Sequence, residues 1–170
     1  ICEELNSEGS GKTFVPVFWM ASEDHDLEEI ASVNVFHEKL TWERTQEGAV
    51  GRMSMNGMGD VLESIKAKFR EGEGEDLFET FNSYVEKEDL SKATLFLVNE
   101  LFGRYGLVVL DADSSSLKMV FAEIMEKELI ESKSFDTINQ TITEFEKSNY
   151  KVQVTPREIN LFYLTQESRK

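Results

Sequence analysis

The chain has 170 residues and a formal net charge of −15, from 33 acidic and 18 basic side chains. Proteins bind nucleic acid chiefly through Lys and Arg that displace counterions, so a surface this acidic excludes phosphate backbones and anionic membranes as expected partners. The composition, 40% hydrophobic and 30% charged, is typical of a globular domain. No apolar run reaches the roughly 20 residues that span a bilayer.

The only cysteine is Cys2, so no internal disulfide can form, and we expect a cytoplasmic protein. The chain opens on Ile1 and stops at Arg169-Lys170, shortly after a strand-like run. We therefore expect a piece of a longer protein, inactive by itself.

In chain order, the first strong element is the apolar run 14–21, which is typical of a strand covered on both faces. Pro16 is tolerable because it lies near the front of this run. Residues 27–30 predict a short helix, and the loose alternation over 34–43 predicts one or two strands. Residues 44–59 hold four glycines and three methionines and predict a loop, with mobility expected.

Apolar residues at helical spacing predict three helices between residues 60 and 103. A buried strand follows at 106–111. Two more helices come next, the first capped by Ser114 or Ser115 and the second by Ser134. Residues 151–154 and 159–164 are predicted as the last strands. The order of strand, helices and strand predicts an α/β fold with parallel strands.

The stretch Gly9-Ser10-Gly11-Lys12-Thr13 ends like a phosphate-binding P-loop. That motif needs a glycine where Asn6 stands, and it needs a strand before the loop, whereas here the strand follows. We therefore interpret the stretch as a polar lead-in to the first strand.

The most informative polar cluster is Glu23-Asp24-His25-Asp26, between the first predicted strand and the first predicted helix. Open α/β sheets bind ligands at the ends of their strands. The start of a helix supplies unpaired N–H groups, and an imidazole titrates near neutral pH. The cluster therefore predicts His25 as a contact or proton donor to an anionic ligand, with Asp24 and Asp26 orienting it or holding Mg²⁺.

A purely structural interpretation of the same cluster is a capping box, in which Asp26 caps the helix and Glu29 reaches back. Spacing alone favours this interpretation, because capping residues are common at such junctions. Zinc is disfavoured, since two histidines and one terminal cysteine do not build the usual site.

Asp111 and Asp113 follow the second strong strand and would reach the same edge. A solvated turn before a capped helix explains them equally well. Trp42, with Met53, Met55 and Met58, is interpreted as core packing rather than as a cofactor site.

Three further observations concern the segments 15–30 (VPVFWMASEDHDLEEI), 107–113 (LVVLDAD) and 154–164 (VTPREINLFYL). In sequence and in order these segments resemble the BshC family, the cysteine-adding enzymes of bacillithiol biosynthesis. The first is the most specific, and the resemblance spans nearly all of the chain, from residue 15 to residue 164. Where the family often has Ala-Gly before the acidic cluster, this chain has Ala21-Ser22, which slightly restricts the backbone at the turn.

The resemblance implies a Rossmann-like parallel sheet with a helical insertion, related to class I aminoacyl-tRNA synthetase cores. The two parts of the core would be residues 1–57 and 106–170, and the insertion would be 58–105. The longer protein would carry a coiled coil and form a homodimer. The implied reaction joins cysteine to glucosaminyl malate through an amide bond. Such a ligation needs an activated carboxylate, so ATP or ADP and Mg²⁺ are candidates, although the cofactor itself is unknown.

By analogy with synthetase-like folds, the resemblance implies a catalytic role for His25, which would stabilise phosphate charge. Asp24 and Asp26 would join it, by binding the amine of an amino acid or a metal ion, although no residue is assigned as a metal ligand. Ligand contacts are also expected from Ser22, Glu23, Asp111 and Asp113. Arg157 and Asn160, at the last predicted strand, would reach a carboxylate, which an arginine can bind through two parallel hydrogen bonds.

Two other function classes stay open. One is a binding module that holds a nucleotide or metabolite without catalysis. The other is an interaction scaffold that uses the acidic helices of residues 58–103. Saturable binding of a nucleotide or of cysteine would distinguish the ligase and the binding module from the scaffold. Turnover would distinguish the ligase from the binding module.

Overall fold

The computed structural model describes residues 1–9, 11–45 and 48–165. The α-helices in these residues are α1 Cys2–Ser7, α2 Leu27–Ile30, α3 Met58–Lys66, α4 Glu75–Val85, α5 Leu90–Phe102, α6 Ser115–Met119, α7 Ala122–Glu131 and α8 Lys133–Lys147. The strands are β1 Val17–Met20, β2 Ser32–Val35, β3 Glu38–Thr41 and β4 Val108–Asp111, and 3-10 turns span Val50–Arg52 and Gly103–Tyr105. Three parts of the sequence predictions lie outside the described residues: Ser10 of the rejected P-loop, Gln46 and Glu47 of the predicted loop, and residues 166–170.

The two strands predicted from continuous apolar runs are neighbours in a parallel sheet. Val17 of β1 pairs with Val108 of β4, and Met20 pairs with Asp111. Pro16 lies just before β1, where its carbonyl accepts a hydrogen bond from the backbone N–H of Val108 (3.0 Å). A proline has no N–H to donate but can serve the ladder in this way. Because the strands run in the same direction, their carboxyl ends lie at the same edge.

The predicted strands in residues 34–43 form the antiparallel hairpin of β2 and β3, with Val35 paired to Glu38. The connecting residues, Phe36 and His37, have φ values of 46° and 72°. Positive φ at both central residues is the conformation of a type I′ turn, which matches the twist of the strands. This conformation is costly for side chains other than glycine. Phe36 gains a ring contact with Phe69, at 5.2 Å between centroids.

The segment predicted as a mobile loop forms part of the core. Trp42, Val50 and Met53 make a buried cluster, in which Met53 is 1% exposed. The indole Nε1 of Trp42 donates to the carbonyl of Asn56 (2.9 Å), and the backbone N–H of Leu90 donates to the carbonyl of Met53 (2.9 Å). The described residues of this segment before α3 are a loop, as predicted, but this loop contains the 3-10 turn Val50–Arg52 and is packed into the core. The interpretation of Trp42 and the methionines as core packing is confirmed.

The three helices predicted between residues 60 and 103 are α3, α4 and α5. Asp89 caps α5, because its carboxylate accepts from the backbone N–H of Lys92 (2.8 Å). Gly57 precedes α3 with φ 79°, a conformation that glycine adopts without steric cost. Residues 72–74, which contain Gly72 and Gly74, fall between α3 and α4.

Residues 114–163 depart from the sequence predictions at three places. The first predicted helix is split into α6 and α7. Ser134 does not cap the next helix, because α8 starts at Lys133 with Ser132 at the N-cap. Residues 151–154 and 159–164 form no strand among the described residues. An extended segment becomes a strand only when it pairs with a neighbour, and the two sheets of the described residues contain β1 to β4 alone.

The described residues fall into two compact units, residues 1–113 with 164–165 and residues 114–163. The division into residues 1–57, 58–105 and 106–170 stays a prediction. Among the described residues, no helix combines the length and hydropathy that a membrane crossing requires.

Candidate functional site

The carboxyl ends of β1 and β4 are connected by a buried serine. Ser22 is 3% exposed, and its hydroxyl donates to Oδ1 of Asp111. The backbone N–H of Asp113 donates both to Oγ of Ser22 (3.1 Å) and to Oδ1 of Asp111 (2.9 Å). The structure thus brings together three residues predicted to bind a ligand. Their polar atoms satisfy one another at the edge where α/β folds bind ligands.

Arg52 binds the same edge from the 3-10 turn Val50–Arg52. Its Nε donates to Oδ2 of Asp113 (2.5 Å), and its Nη2 donates to Oδ1 (2.9 Å). A second amino group, Nη1, donates to the carbonyl of Thr165 (3.1 Å). The hydrogen bond to Asp113 raises the pKa of Arg52 above its ordinary value, and the charge of Glu23 raises it further. Asp113 lies in the turn after β4, but its side chain is only 13% exposed because it takes part in a two-point ion pair.

Gly51 lets this 3-10 turn pack directly against the loop after β1. Its N–H donates to the carbonyl of Ser22 (2.9 Å), and the N–H of Val50 donates to the carbonyl of Asp24 (2.6 Å). A Cβ at position 51 would lie 2.5 Å from Cβ of Ser22 and 2.3 Å from Oγ of Ser91. Only glycine permits this approach of two backbones. The 3-10 turn therefore fixes the loop that carries the acidic cluster.

The acidic cluster holds His25 between two carboxylates. Nδ1 of His25 lies 3.3 Å from Oδ1 of Asp24, and Nε2 lies 3.6 Å from Oδ1 of Asp26. The side chain of His25 is 58% exposed. One ligand atom from each of the three residues lies within 4.8 Å of the other two. The arrangement can pass a proton between imidazole and solvent, and its two carboxylates can attract an ammonium group or a divalent cation.

The structure does not contain the capping box that spacing alone favours. Asp26 occupies the N-cap position of α2, but its side chain accepts no capping hydrogen bond. The helix has only four residues, from Leu27 to Ile30. The two acidic side chains beside His25 therefore face the imidazole and are not used to start a helix.

An open cleft of about 850 Å³ adjoins the acidic cluster. It is lined by residues 25–29 together with Arg44 and Thr45, and we call it the His25 cleft. Its walls carry three carboxylates, those of Asp26, Glu28 and Glu29, as well as the guanidinium of Arg44. The His25 cleft therefore presents both signs of charge to a ligand.

Arg157 and Asn160 lie in the second unit, outside any strand. The guanidinium carbon of Arg157 lies 4.9 Å from the centroid of the Phe162 ring. The backbone N–H of Asn160 donates to Oε1 of Glu128 (3.0 Å). Glu128 also accepts from the hydroxyl of Ser134, and these hydrogen bonds, with that of Ser134 the strongest, hold its pKa below the ordinary value of a glutamate. The placement of Arg157 and Asn160 at a last strand is wrong.

Sequence reasoning did not identify Arg44, Gly51 or Arg52 as site residues. All three lie between residues 44 and 59, where the pattern has no periodicity. The available signal was the combination of arginines with glycines in a strongly acidic chain.

Comparison with known proteins agrees with the parallel strands of the fold. Residues 1–170 match the family model described as bacillithiol biosynthesis BshC, N-terminal Rossmann-like domain. A Cytophaga hutchinsonii protein named "Putative cysteine ligase BshC" is 43% identical over the whole of this chain, which covers 31% of that relative. The protein of the same name from Flavobacterium psychrophilum is 38% identical, with 32% of its length covered. One from Chlorobaculum tepidum is 31% identical over 90% of this chain.

The chain thus spans about a third of the length of these relatives. Its parallel strands β1 and β4, with the helices between them, form part of a Rossmann-like α/β domain. The match extends over all 170 residues, so it includes both the sheet edge and the His25 cleft. The chain belongs to the BshC family of bacillithiol biosynthesis, as its N-terminal Rossmann-like domain.

Proposed function

We propose that the longer protein containing this chain is a ligase that joins cysteine to glucosaminyl malate in bacillithiol biosynthesis. The observation that carries the proposal is the match to the BshC family over residues 1–170, with 43% identity to a relative named as a cysteine ligase. The relatives are about three times as long as this chain, so the proposal concerns the whole protein.

The proposed reaction forms an amide between the carboxyl group of cysteine and the amine of glucosaminyl malate. Carboxylate and ammonium become an amide and water overall, with one oxygen leaving the acid and two hydrogens leaving the ammonium. A nucleotide, when bound, would supply a leaving group on the carboxyl carbon. The described walls of the His25 cleft offer one guanidinium and one imidazole against three carboxylates. These charges do not fit a triphosphate, and no step here is routed through one.

His25 is proposed to carry a proton at the reacting groups, because its imidazole is exposed and has a carboxylate on each side. Asp24 and Asp26 hold the ring and attract the ammonium group of a substrate. Their oxygens also fit Mg²⁺, which binds proteins through one or two carboxylates. No cofactor is assigned.

The other predicted contacts have two proposed roles. Ser22, Asp111 and Asp113 shape the edge that the substrate approaches, since their polar atoms bind one another. Glu23 adds negative charge beside Arg52. Arg157 and Asn160 are proposed to meet a substrate carboxylate in the full-length protein.

We also propose several finer features of the whole protein. They are the kinship of the core with class I aminoacyl-tRNA synthetases, the helical insertion at residues 58–105, a homodimer and a cytoplasmic location. Each follows from the family resemblance or from the composition of the chain. The alternative function, a binding module without catalysis, differs from the ligase in turnover alone.

The test is complementation in a bacillithiol-producing bacterium that lacks its own copy of the gene. We expect the full-length wild-type protein to restore bacillithiol and to lower the accumulated glucosaminyl malate, both measured by mass spectrometry. A folded, expressed wild-type protein that restores no bacillithiol would contradict the ligase and favour the binding module.

A further inference from the structure

Arg44 is a guanidinium on the wall of the His25 cleft. It stands out because the rest of that wall is acidic, with Asp26, Glu28 and Glu29, and because the whole chain carries a charge of −15. A cation surrounded by so many carboxylates is expected to pair with one of them. Among the described residues, Arg44 forms no ion pair.

Contacts with the core hold Arg44 in place. Its Nη2 donates to Oγ of Ser54 (3.0 Å), and its guanidinium carbon lies 5.5 Å from the centroid of the Trp42 ring. This distance is within the range of a cation–π interaction. Ser54 is itself fixed by an antiparallel bridge to Asp89, the residue that caps α5. The guanidinium is therefore positioned before any ligand arrives, which lowers the entropic cost of binding.

The hydrogen-bonding capacity of Arg44 is largely unused. A guanidinium has five N–H donors, and the described residues accept from one of its nitrogens, Nη2. Its Nε is buried and has no partner among the described residues. An unpaired charged donor in a protein interior is costly, so each such group calls for an explanation. Nε lies out of reach of a ligand, so an anionic group in the adjoining cleft would bind the terminal nitrogens, of which Nη1 donates to none of the described residues.

We infer that Arg44 binds the carboxylate of a zwitterionic substrate in the His25 cleft, while the carboxylates of the cleft receive the ammonium group of the same substrate. The inference rests on the proposed function, which places the substrates in this cleft. It is carried by the charges of the wall: one fixed guanidinium and three carboxylates around a single open space. The three carboxylates would repel a purely anionic ligand, and Arg44 would repel a purely cationic ligand. A ligand with one group of each sign fits both.

Two proposed substrates share this chemistry. Cysteine carries an α-ammonium and an α-carboxylate group, and glucosaminyl malate carries the amine of its sugar and the carboxylates of its malate. Each can be compared with an analogue that keeps the ammonium and lacks the free carboxylate. For cysteine this analogue is cysteamine, and for glucosaminyl malate it is the dimethyl ester.

The experiment measures binding of these four compounds to the full-length protein by titration calorimetry, without turnover. We expect the wild-type protein to bind the carboxylate member of at least one pair about 10- to 100-fold more tightly than its analogue, as for a charge-assisted hydrogen bond. In Arg44→Gln this preference should fall to near unity, because the carboxylate member binds more weakly while the cationic analogue, no longer opposed by the guanidinium, binds at least as tightly as to the wild type. The pair that responds identifies the substrate.

Arg104→Gln is the matched control, because Arg104 also stacks on an aromatic ring, Tyr105 at 4.7 Å, but does not line the cleft. This variant should keep the wild-type preference. If Arg44→Gln does not fold, Arg44→Lys takes its place and should lose part of the preference, since an ammonium lacks the planar fork. Full wild-type preference in the folded Arg44 variant, or no preference in the wild-type protein, would overturn the inference. Loss of preference at Arg44 without any ligation by the wild-type protein would keep the inference and reject the proposed function.

Discussion

Ser22 connects the two strands of the parallel sheet through a single hydroxyl. Ser22→Ala would remove one hydrogen bond from Oδ1 of Asp111 and one from the N–H of Asp113. Ser22 is only 3% exposed, so water does not readily replace its hydroxyl. We expect the variant to lower the free energy of unfolding by about 1.5–3 kcal/mol, the contribution of a hydrogen bond to a charged group. Urea unfolding followed by circular dichroism measures it.

The control is Ser64→Ala, which removes an exposed hydroxyl that donates to the carbonyl of Asp60 (2.8 Å) within α3. It should change the free energy of unfolding by less than about 0.5 kcal/mol. Equal effects of the two substitutions would contradict the role of Ser22 at the sheet edge.

Glu128 is expected to make the stability of residues 114–163 depend on pH. Its pKa is lowered in the folded chain, first by the hydroxyl of Ser134 and then by the N–H of Asn160. A lowered folded pKa means that the carboxylate stabilises the fold above the ordinary glutamate pKa, and that this contribution is lost as pH falls through the folded value. The stability difference between wild type and Glu128→Gln should therefore be largest at neutral pH and shrink on acidification.

Urea midpoints measured by circular dichroism from pH 7 to pH 3 provide the comparison. Glu126→Gln, which changes an exposed carboxylate on the same helix, is the control. Its difference from wild type should stay small at every pH. A difference for Glu128→Gln that is independent of pH would show that the hydrogen bonds of its carboxylate do not stabilise this unit.

The 3-10 turn Val50–Arg52 is the element that holds the loop of the acidic cluster in place. Gly51→Ala would put a Cβ within 2.5 Å of Cβ of Ser22 and within 2.8 Å of its carbonyl oxygen. The backbones must then separate, and we expect a loss of about 1–3 kcal/mol, as for overpacking in a core. The variant should also weaken substrate binding, because residues 22–26 move with the turn.

Gly59→Ala is the matched control, since a Cβ at this position of α3 meets nothing within 4 Å. A glycine in a helix costs up to about 1 kcal/mol relative to alanine, so this variant should be neutral or more stable. Thermal unfolding of the two variants and of the wild type measures this difference in stability. A Gly51→Ala protein as stable as wild type would show that the close approach is not required.

At the same scale, the sequence predicts those elements whose pattern is local. The apolar runs of β1 and β4 and the helical spacing of α3 to α5 are visible in the sequence because each follows a local pattern of its own element. The prediction that β1 is covered on both faces is wrong for this chain, since Val17, Phe18 and Trp19 are 50%, 39% and 62% exposed. The break at residues 120–121 has no glycine or proline to mark it. Residues 151–164 have strand-like composition, but composition cannot supply a pairing partner.

At the scale of the whole molecule, the site was predictable where it follows strand ends and unpredictable where it depends on tertiary contacts. Ser22, Asp111 and Asp113 meet because parallel strands end at one edge. Arg52 and Arg44 come from a segment without periodicity, and long-range packing places them. Gly51 was unpredictable for the same reason. The requirement for glycine at this position arises only from the close approach of the 3-10 turn to the backbone of Ser22.

The two histidines of the chain provide the most direct test of the account as a whole. His25 lies in the cleft between two carboxylates, and His37 lies in the hairpin turn. In the bacterium that lacks its own copy of the gene, full-length His37→Ala should restore bacillithiol as the wild type does. His25→Ala, at equal expression, should leave bacillithiol at least about 10²-fold lower, as expected for the loss of a general acid–base group, and should let glucosaminyl malate accumulate. Restoration of bacillithiol by His25→Ala to the wild-type level would contradict the placement of the ligase site at this edge of the sheet.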